Sequence, residues 1–122
     1  MKAVLSQNIT DFEIVIVDSG STDKTLDIAE AHGVSNIVTL NEYRPGNAIN
    51  EGIRHSCSDQ VVILSAHCIP KDQDWLGNLL TNLADDVAGV YGRQLPLSYS
   101  APSDVRDLLI TFGRERRIQE KD

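Results

Sequence analysis

Phe12-Glu13-Ile14-Val15-Ile16-Val17-Asp18-Ser19-Gly20-Ser21-Thr22-Asp23 is the stretch on which the fold turns. Its first half is β-branched and almost continuously apolar, the composition of a strand covered on both faces rather than one alternating between core and water. Its second half is small and polar and suits a turn followed by a helix N-terminus. There Ser and Thr oxygens accept orphan backbone N–H groups, and Asp23 favours the positive end of the helix dipole. A buried strand feeding a turn and then a helix is the unit of a mostly parallel sheet covered by helices.

Working outward, the spacing predicts a helix from about Thr22 to His32, stopped by Gly33, with His32 suited to the negative helix end. A second strand over Asn36 to Leu40 leads into Asn41-Glu42-Tyr43-Arg44-Pro45-Gly46, where Pro and Gly break regular structure. A helix follows from Asn47 to near Cys57, with Ala48, Ile49, Gly52 and Ile53 at helical spacing. Gln60 to Leu64 reads as a third, central strand. Trp75, Leu76, Leu79, Leu80 and Leu83 form one helical stripe, Val87 to Tyr91 a fourth strand, and Val105, Leu108, Leu109 and Phe112 a last stripe. The charged tail, Arg114 to Asp122, reads as a solvated helix end. The expected fold class is therefore α/β, a three-layer α/β/α arrangement around a mostly parallel sheet.

Composition narrows the function. The chain has 122 residues, 41% of them hydrophobic, which amounts to one ordinary domain or less. The longest purely apolar runs, Ile14 to Val17 and Val61 to Leu64, are far too short to span a bilayer. Acidic residues outnumber basic ones, 18 to 11, for a net charge of -7, so nucleic acid is not an expected partner. Cys57 and Cys68 make no disulfide framework, and the start lacks a basic-then-apolar leader; both favour a reducing, cytoplasmic setting.

In open α/β sheets ligands bind beyond the carboxyl ends of the strands, where loops and helix N-termini converge. Three segments qualify: Asp18 to Thr22, Asn41 to Asn47, and Ser65 to Pro70. In the first, Asp18 can accept hydrogen bonds from a base or ribose while Gly20 permits close backbone approach; helix capping alone also accounts for these residues. In the second, Arg44 suits a phosphate and Asn50 can reach across a cleft, or else Asn47 caps a helix and Arg44 is solvated. In the third, His67 follows a buried strand, where an imidazole can bind a metal or a phosphate, although a lone His is more often structural. His55, Cys57, His67 and Cys68 do not have the spacing of a tetrahedral zinc site.

Taken in order, these segments resemble the inverting, nucleotide-sugar-dependent glycosyltransferases of family 2, which have the GT-A fold. The residues that carry the resemblance are Glu13 to Thr25, Gly46 to Ile53, Val62 to His67 with Pro70 and Trp75-Leu76, and Tyr91 to Pro96. The resemblance implies that Asp18, Gly20, Ser21 and Asn50 shape the nucleotide pocket of a donor half-site. It implies a UDP-, dTDP- or GDP-linked sugar donor and a saccharide or lipid-linked acceptor, which places the protein in the cytoplasm or at the cytoplasmic face of the membrane. It also implies a diphosphate held through Mg or Mn by an Asp-x-Asp motif. Here the matching tripeptide is Ser65-Ala66-His67, which leaves His67 as its metal-ligating residue and metal dependence in question.

By the same resemblance, Met1 to Gln7 is the tail of a helix that should follow a first strand, and the catalytic base is expected after residue 122. The expectation is a single partial domain over residues 1–122, cut at both ends and prone to self-association through an unpaired strand edge. A phospho-receiver or another non-catalytic nucleotide-binding α/β domain is the alternative. A receiver needs a phosphorylatable Asp after a middle strand and a Lys after a later one, where this chain has Ser65-Ala66-His67 and Gly92-Arg93.

Overall fold

The structure, a computed structural model, describes residues 1–113. They form seven elements: α1 (Lys2–Leu5), β1 (Val15–Asp18), α2 (Thr25–Ala31), β2 (Asn36–Thr39), α3 (Pro45–Arg54), α4 (Trp75–Thr81) and α5 (Pro102–Thr111). The chain divides into two compact units, Met1–Asn78 and the residues from Leu79 onward. Among the described residues no helix is long and apolar enough to cross a membrane.

The first unit is built on a β-α-β crossover. β1 and β2 pair in parallel, Val15 opposite Asn36 through Asp18 opposite Thr39, and the Leu40 amide extends the ladder to the Asp18 carbonyl at 2.7 Å. The strand is shorter than the apolar run suggests because Phe12 to Ile14 precede the point at which Asn36 begins the ladder. Helix α2 starts at Thr25 rather than near Thr22, since Asp23 accepts the Thr25 N–H at 2.9 Å and leaves residues 19–24 to the turn. Helix α3 starts at Pro45, whose fixed φ and missing N–H suit a first helical position. It lies against β1, where a Cβ on Gly52 would come within 3.2 Å of a Val17 methyl.

Two expected strands do not form. Gln60 to Leu64 and Val87 to Tyr91 carry no ladder, and among the described residues the sheet has two strands only. A strand exists through its neighbour's hydrogen bonds, and β1 is paired along one edge alone. Val61, Val62, Ile63 and Leu64 consequently stand 43, 41, 62 and 37% exposed instead of central and buried. β1 itself is half-buried apart from Asp18. The buried apolar core consists of Ala29, Val34 and Leu76.

Helix α4 is held by a residue distant in sequence. Gln7, 5% exposed, accepts the Leu76 N–H on Oε1 at 2.9 Å and donates from Nε2 to the Ala3 and Asp72 carbonyls at 2.9 and 2.8 Å. In the second unit α5 half-buries Val105, Leu108 and Phe112 and exposes Leu109 and Ile110. The tail from Arg114 to Asp122, read from sequence as a solvated helix end, lies outside the described residues.

Candidate functional site

The turn after β1 is organised around one carboxylate. Asp18 is 6% exposed, and its Oδ2 accepts the Gly20 and Ser21 N–H groups at 2.8 and 3.0 Å. Its Oδ1 accepts the Ser21 hydroxyl. The chain bends through Gly20 at φ +96°, a conformation open to glycine at no steric cost. The Ser21 hydroxyl bond, then the Ser21 and Gly20 amides, hold the Asp18 carboxyl below the usual aspartate range, with burial acting weakly in the opposite direction. Asp23 is lowered in the same way, first by the Thr25 hydroxyl and then by the Thr25 N–H.

These contacts decide what the turn can bind. A strand-turn-helix of this kind can cradle a phosphate when its backbone N–H groups are free. Here the Gly20 and Ser21 N–H groups already serve Asp18, and that of Thr25 serves Asp23. A diphosphate placed on this turn would meet two carboxylates and few donors. The turn is therefore suited to hydrogen-bond donors, such as the N–H of a base or the hydroxyl of a ribose, and not to anions.

The other predicted residues are placed by different elements. Asn50 is exposed on α3, the helix against β1, and makes no side-chain hydrogen bond among the described residues. His67 is exposed in the loop after the unpaired run, its N–H directed to the Ser65 hydroxyl at 3.4 Å. Among the described residues no group of three or more His, Cys, Asp or Glu side chains could hold a metal ion. The residues present thus do not fit a divalent cation by themselves, and no chemical step is routed through one.

A shallow groove at the carboxyl end of β2 is lined by Thr39, Leu40, Glu42, Arg44, Asn47 and Glu51, among others. It contains none of Asp18, Gly20, Ser21, Asn50 or His67. Arg44 and Asn47 were visible in the sequence as phosphate and capping candidates, but nothing in the spacing places them with Glu51 on one concave surface. Arg44 pairs with Glu42 at 3.1 Å, with both side chains more than 70% exposed. Such a pair is weak and can exchange partners readily.

Comparison with known proteins supplies the family. The family model described as glycosyl transferase family 2 matches residues 1–121. The chain is 32% identical over 114 residues to the O-antigen chain rhamnosyltransferase WbaN of Salmonella anatum, covering 90% of this chain and 36% of that protein. It is 26% identical over 127 residues to the O-antigen chain rhamnosyltransferase RfbN of Salmonella typhimurium, covering 99% of this chain and 40% of that protein. A third relative, from Methanococcus voltae, is a dolichyl N-acetyl-alpha-D-glucosaminyl phosphate 3-beta-D-2,3-diacetamido-2,3-dideoxy-beta-D-glucuronosyltransferase. It is 42% identical over 74 residues, covering 56% of this chain and 23% of the relative. The chain thus spans at most 40% of the length of these relatives. No solved structure matches it. A family match running from residue 1 to residue 121 and a parallel β-α-β unit whose first strand ends in a carboxylate-centred turn agree: the chain belongs to glycosyl transferase family 2 and carries part of that family's GT-A α/β fold.

Proposed function

We propose that the protein transfers a sugar from a nucleotide-diphosphate donor to a hydroxyl of a saccharide or lipid-linked acceptor, with inversion, and that this chain is the donor-binding half. The observation that carries the reading is the buried, pre-oriented Asp18 at the carboxyl end of β1, in a chain matched to the family over residues 1–121. In the reaction the acceptor oxygen bonds to the anomeric carbon while the bond from that carbon to the diphosphate oxygen breaks. The acceptor proton passes to a general base, for which no residue of this chain is proposed. Two of the relatives are rhamnosyltransferases, so rhamnose is the first sugar to test.

Within the donor site, Asp18, Gly20 and Ser21 form the wall that meets the nucleoside, and Asn50 on the neighbouring helix belongs to the same pocket. The diphosphate falls to the Arg44 groove, where Glu42 can release the guanidinium to a better anion, because the amides of the first turn are already committed. The metal role that the resemblance implies for His67 finds no companion ligands among the described residues and is not carried into this reading. On this reading the protein works in the cytoplasm or at the cytoplasmic face of the membrane. The unpaired edge of β1 and the exposed Val61 to Leu64 run favour self-association with a second copy, and light scattering that reports a monomer at every concentration counts against that element.

The test is an amide-shift titration of the 122-residue chain with UDP, dTDP and GDP, paired with transfer assays on a longer clone using common nucleotide sugars. Saturable shifts at Asp18, Gly20 and Asn50 together with sugar transfer support the reading. A longer clone that neither hydrolyses nor transfers from any nucleotide sugar refutes it. The receiver-like alternative is not favoured, given the family match and the absence of a phosphorylatable Asp in Ser65-Ala66-His67.

A further inference from the structure

The groove that contains Arg44 has a volume of about 830 Å³ and two chemically different sides. On the strand side the register decides which side chains it shows. Val38 stands opposite Val17 in the ladder, and Val17 is the side chain nearest Gly52 of α3. Val38 and, two residues on, Leu40 therefore face α3, while Thr39 faces away. Asn36 belongs to the same face, and its amide donates to the His55 carbonyl at the end of α3 at 2.9 Å. On the helix side Asn47 and Glu51 stand one turn apart, about 6 Å along the axis, a spacing that one pyranose ring can bridge. The Asn47 side chain makes no hydrogen bond among the described residues. Glu51 gives Oε1 to the Arg54 guanidinium, and its Oε2 is unused among the described residues.

Resting on the donor-site reading above, which brings the diphosphate to Arg44, we propose that this groove also holds the sugar joined to that diphosphate and selects a 6-deoxyhexose. Asn47 can donate to one ring hydroxyl and accept from another, and Glu51 Oε2 accepts from a neighbouring one. The C6 methyl group rests on Val38 and Leu40, which offer dispersion contact and no hydrogen-bond partner. A full hexose would turn its C6 hydroxyl onto the same two side chains and give up water with nothing in exchange. The polar wall thus fixes the ring, and the apolar wall tells the two classes of sugar apart.

The experiment is titration calorimetry on the 122-residue chain with bare UDP, dTDP and GDP and with matched sugar pairs that differ only in the C6 oxygen. The pairs are the glucose and 6-deoxyglucose conjugates of UDP and dTDP, and the mannose and 6-deoxymannose conjugates of GDP. In whichever nucleotide binds, the deoxy member should bind about tenfold tighter than its partner, the ratio one hydroxyl stripped of water can supply. Asn47→Ala and Glu51→Gln should each lower the sugar increment, the affinity of the nucleotide sugar relative to the bare nucleotide, at least about threefold. Val38→Thr, which is nearly isosteric and offers a hydroxyl to the missing partner, should narrow the deoxy preference to about threefold or less.

Equal affinity for the two members of each pair overturns the proposal. So does a sugar increment that survives both Asn47→Ala and Glu51→Gln, or a loss in those variants that falls equally on bare nucleotide and nucleotide sugar, which is the mark of a merely structural role. If a bare nucleotide binds and its sugar adds nothing, the sugar site is refuted while the donor-site reading stands. If neither bare nucleotides nor their sugars bind, the donor-site reading itself has failed, and the selectivity assigned to the groove fails with it.

Discussion

Replacing Gln7 tests whether the first unit is tied together by the contacts of one buried amide. The side chain spans 69 positions to receive the Leu76 N–H, an otherwise orphan donor in the first turn of α4, and donates to two carbonyls. Each such bond contributes about 1 kcal/mol net, and a buried N–H left without an acceptor costs about 1–3 kcal/mol. Leu76 is only 9% exposed, so water has poor access to that amide. Against this, release of a fixed Gln side chain returns somewhat more than 1 kcal/mol of rotamer entropy. Gln7→Ala should therefore cost about 2–3 kcal/mol, and Gln7→Met, which fills most of the volume without bonding, about 2 kcal/mol. That is a large fraction of the stability of a small domain. The assay is urea unfolding at constant m, with Asn8→Ala as a control: the exposed Asn8 amide donates to Asp74 at 2.6 Å, and its loss should stay within about 0.5 kcal/mol. Amide exchange supplies a sharper mark, because the Leu76 N–H should lose protection ahead of its helical neighbours. A Gln7→Met variant within about 0.5 kcal/mol of wild type, with the Leu76 N–H still protected, refutes the reasoning.

Other substitutions probe the candidate site. Gly20→Ala meets no atom within 4 Å but must hold φ near +96°, so it should lose about 1–2 kcal/mol by urea unfolding through backbone strain alone. The lowered carboxyls of Asp18 and Asp23 make a contribution that is fully present above the ordinary aspartate value of 3.8 and is lost as pH falls through their lower folded values. Urea midpoints measured downward from about pH 5 should fall in that window, and Ser21→Ala should flatten the fall; an unchanged profile rejects the assignment. Because no companion ligands stand beside it among the described residues, His67→Ala should leave UDP binding unaltered with and without Mn, as read by titration calorimetry. A Mn enhancement that the substitution removes would overturn this.

How much of the fold could be read in advance depends on whether a feature is local. Strand β1, the turn and helix α2 are decided within residues 12–31 by β-branching, glycine and capping chemistry, and they form close to where the sequence places them. Helix α3 is equally local, with Pro45 refining its start. Val61 to Leu64 has the composition of a central strand, but pairing is not a property of the segment, and no described strand lies beside it. Val87 to Tyr91 fails for the same reason. The role of Gln7 was illegible because glutamine carries no pattern; only the folded chain shows that its amide meets residues 72 and 76.

The site shows the same division from the opposite side. Sequence weighed two readings of Asp18 to Thr22, a capped turn or a ligand wall; the structure shows a turn gathered around Asp18, with no side-chain cap bond at the N-cap Lys24 of α2. The carboxylate organises the turn by consuming the Gly20 and Ser21 N–H groups, and in doing so it removes the donors with which such turns hold phosphate. What remains at Asp18 is acceptor capacity, so any ligand it meets must offer a donor, as a base or a sugar hydroxyl does and a diphosphate does not. In the proposed donor site anion recognition is displaced onto Arg44, whose exposed pairing with Glu42 is weak enough to yield. On the proposed reading the two ends of a nucleotide diphosphate, one donating and one anionic, would meet two different loops at the carboxyl edge of the same two-stranded sheet.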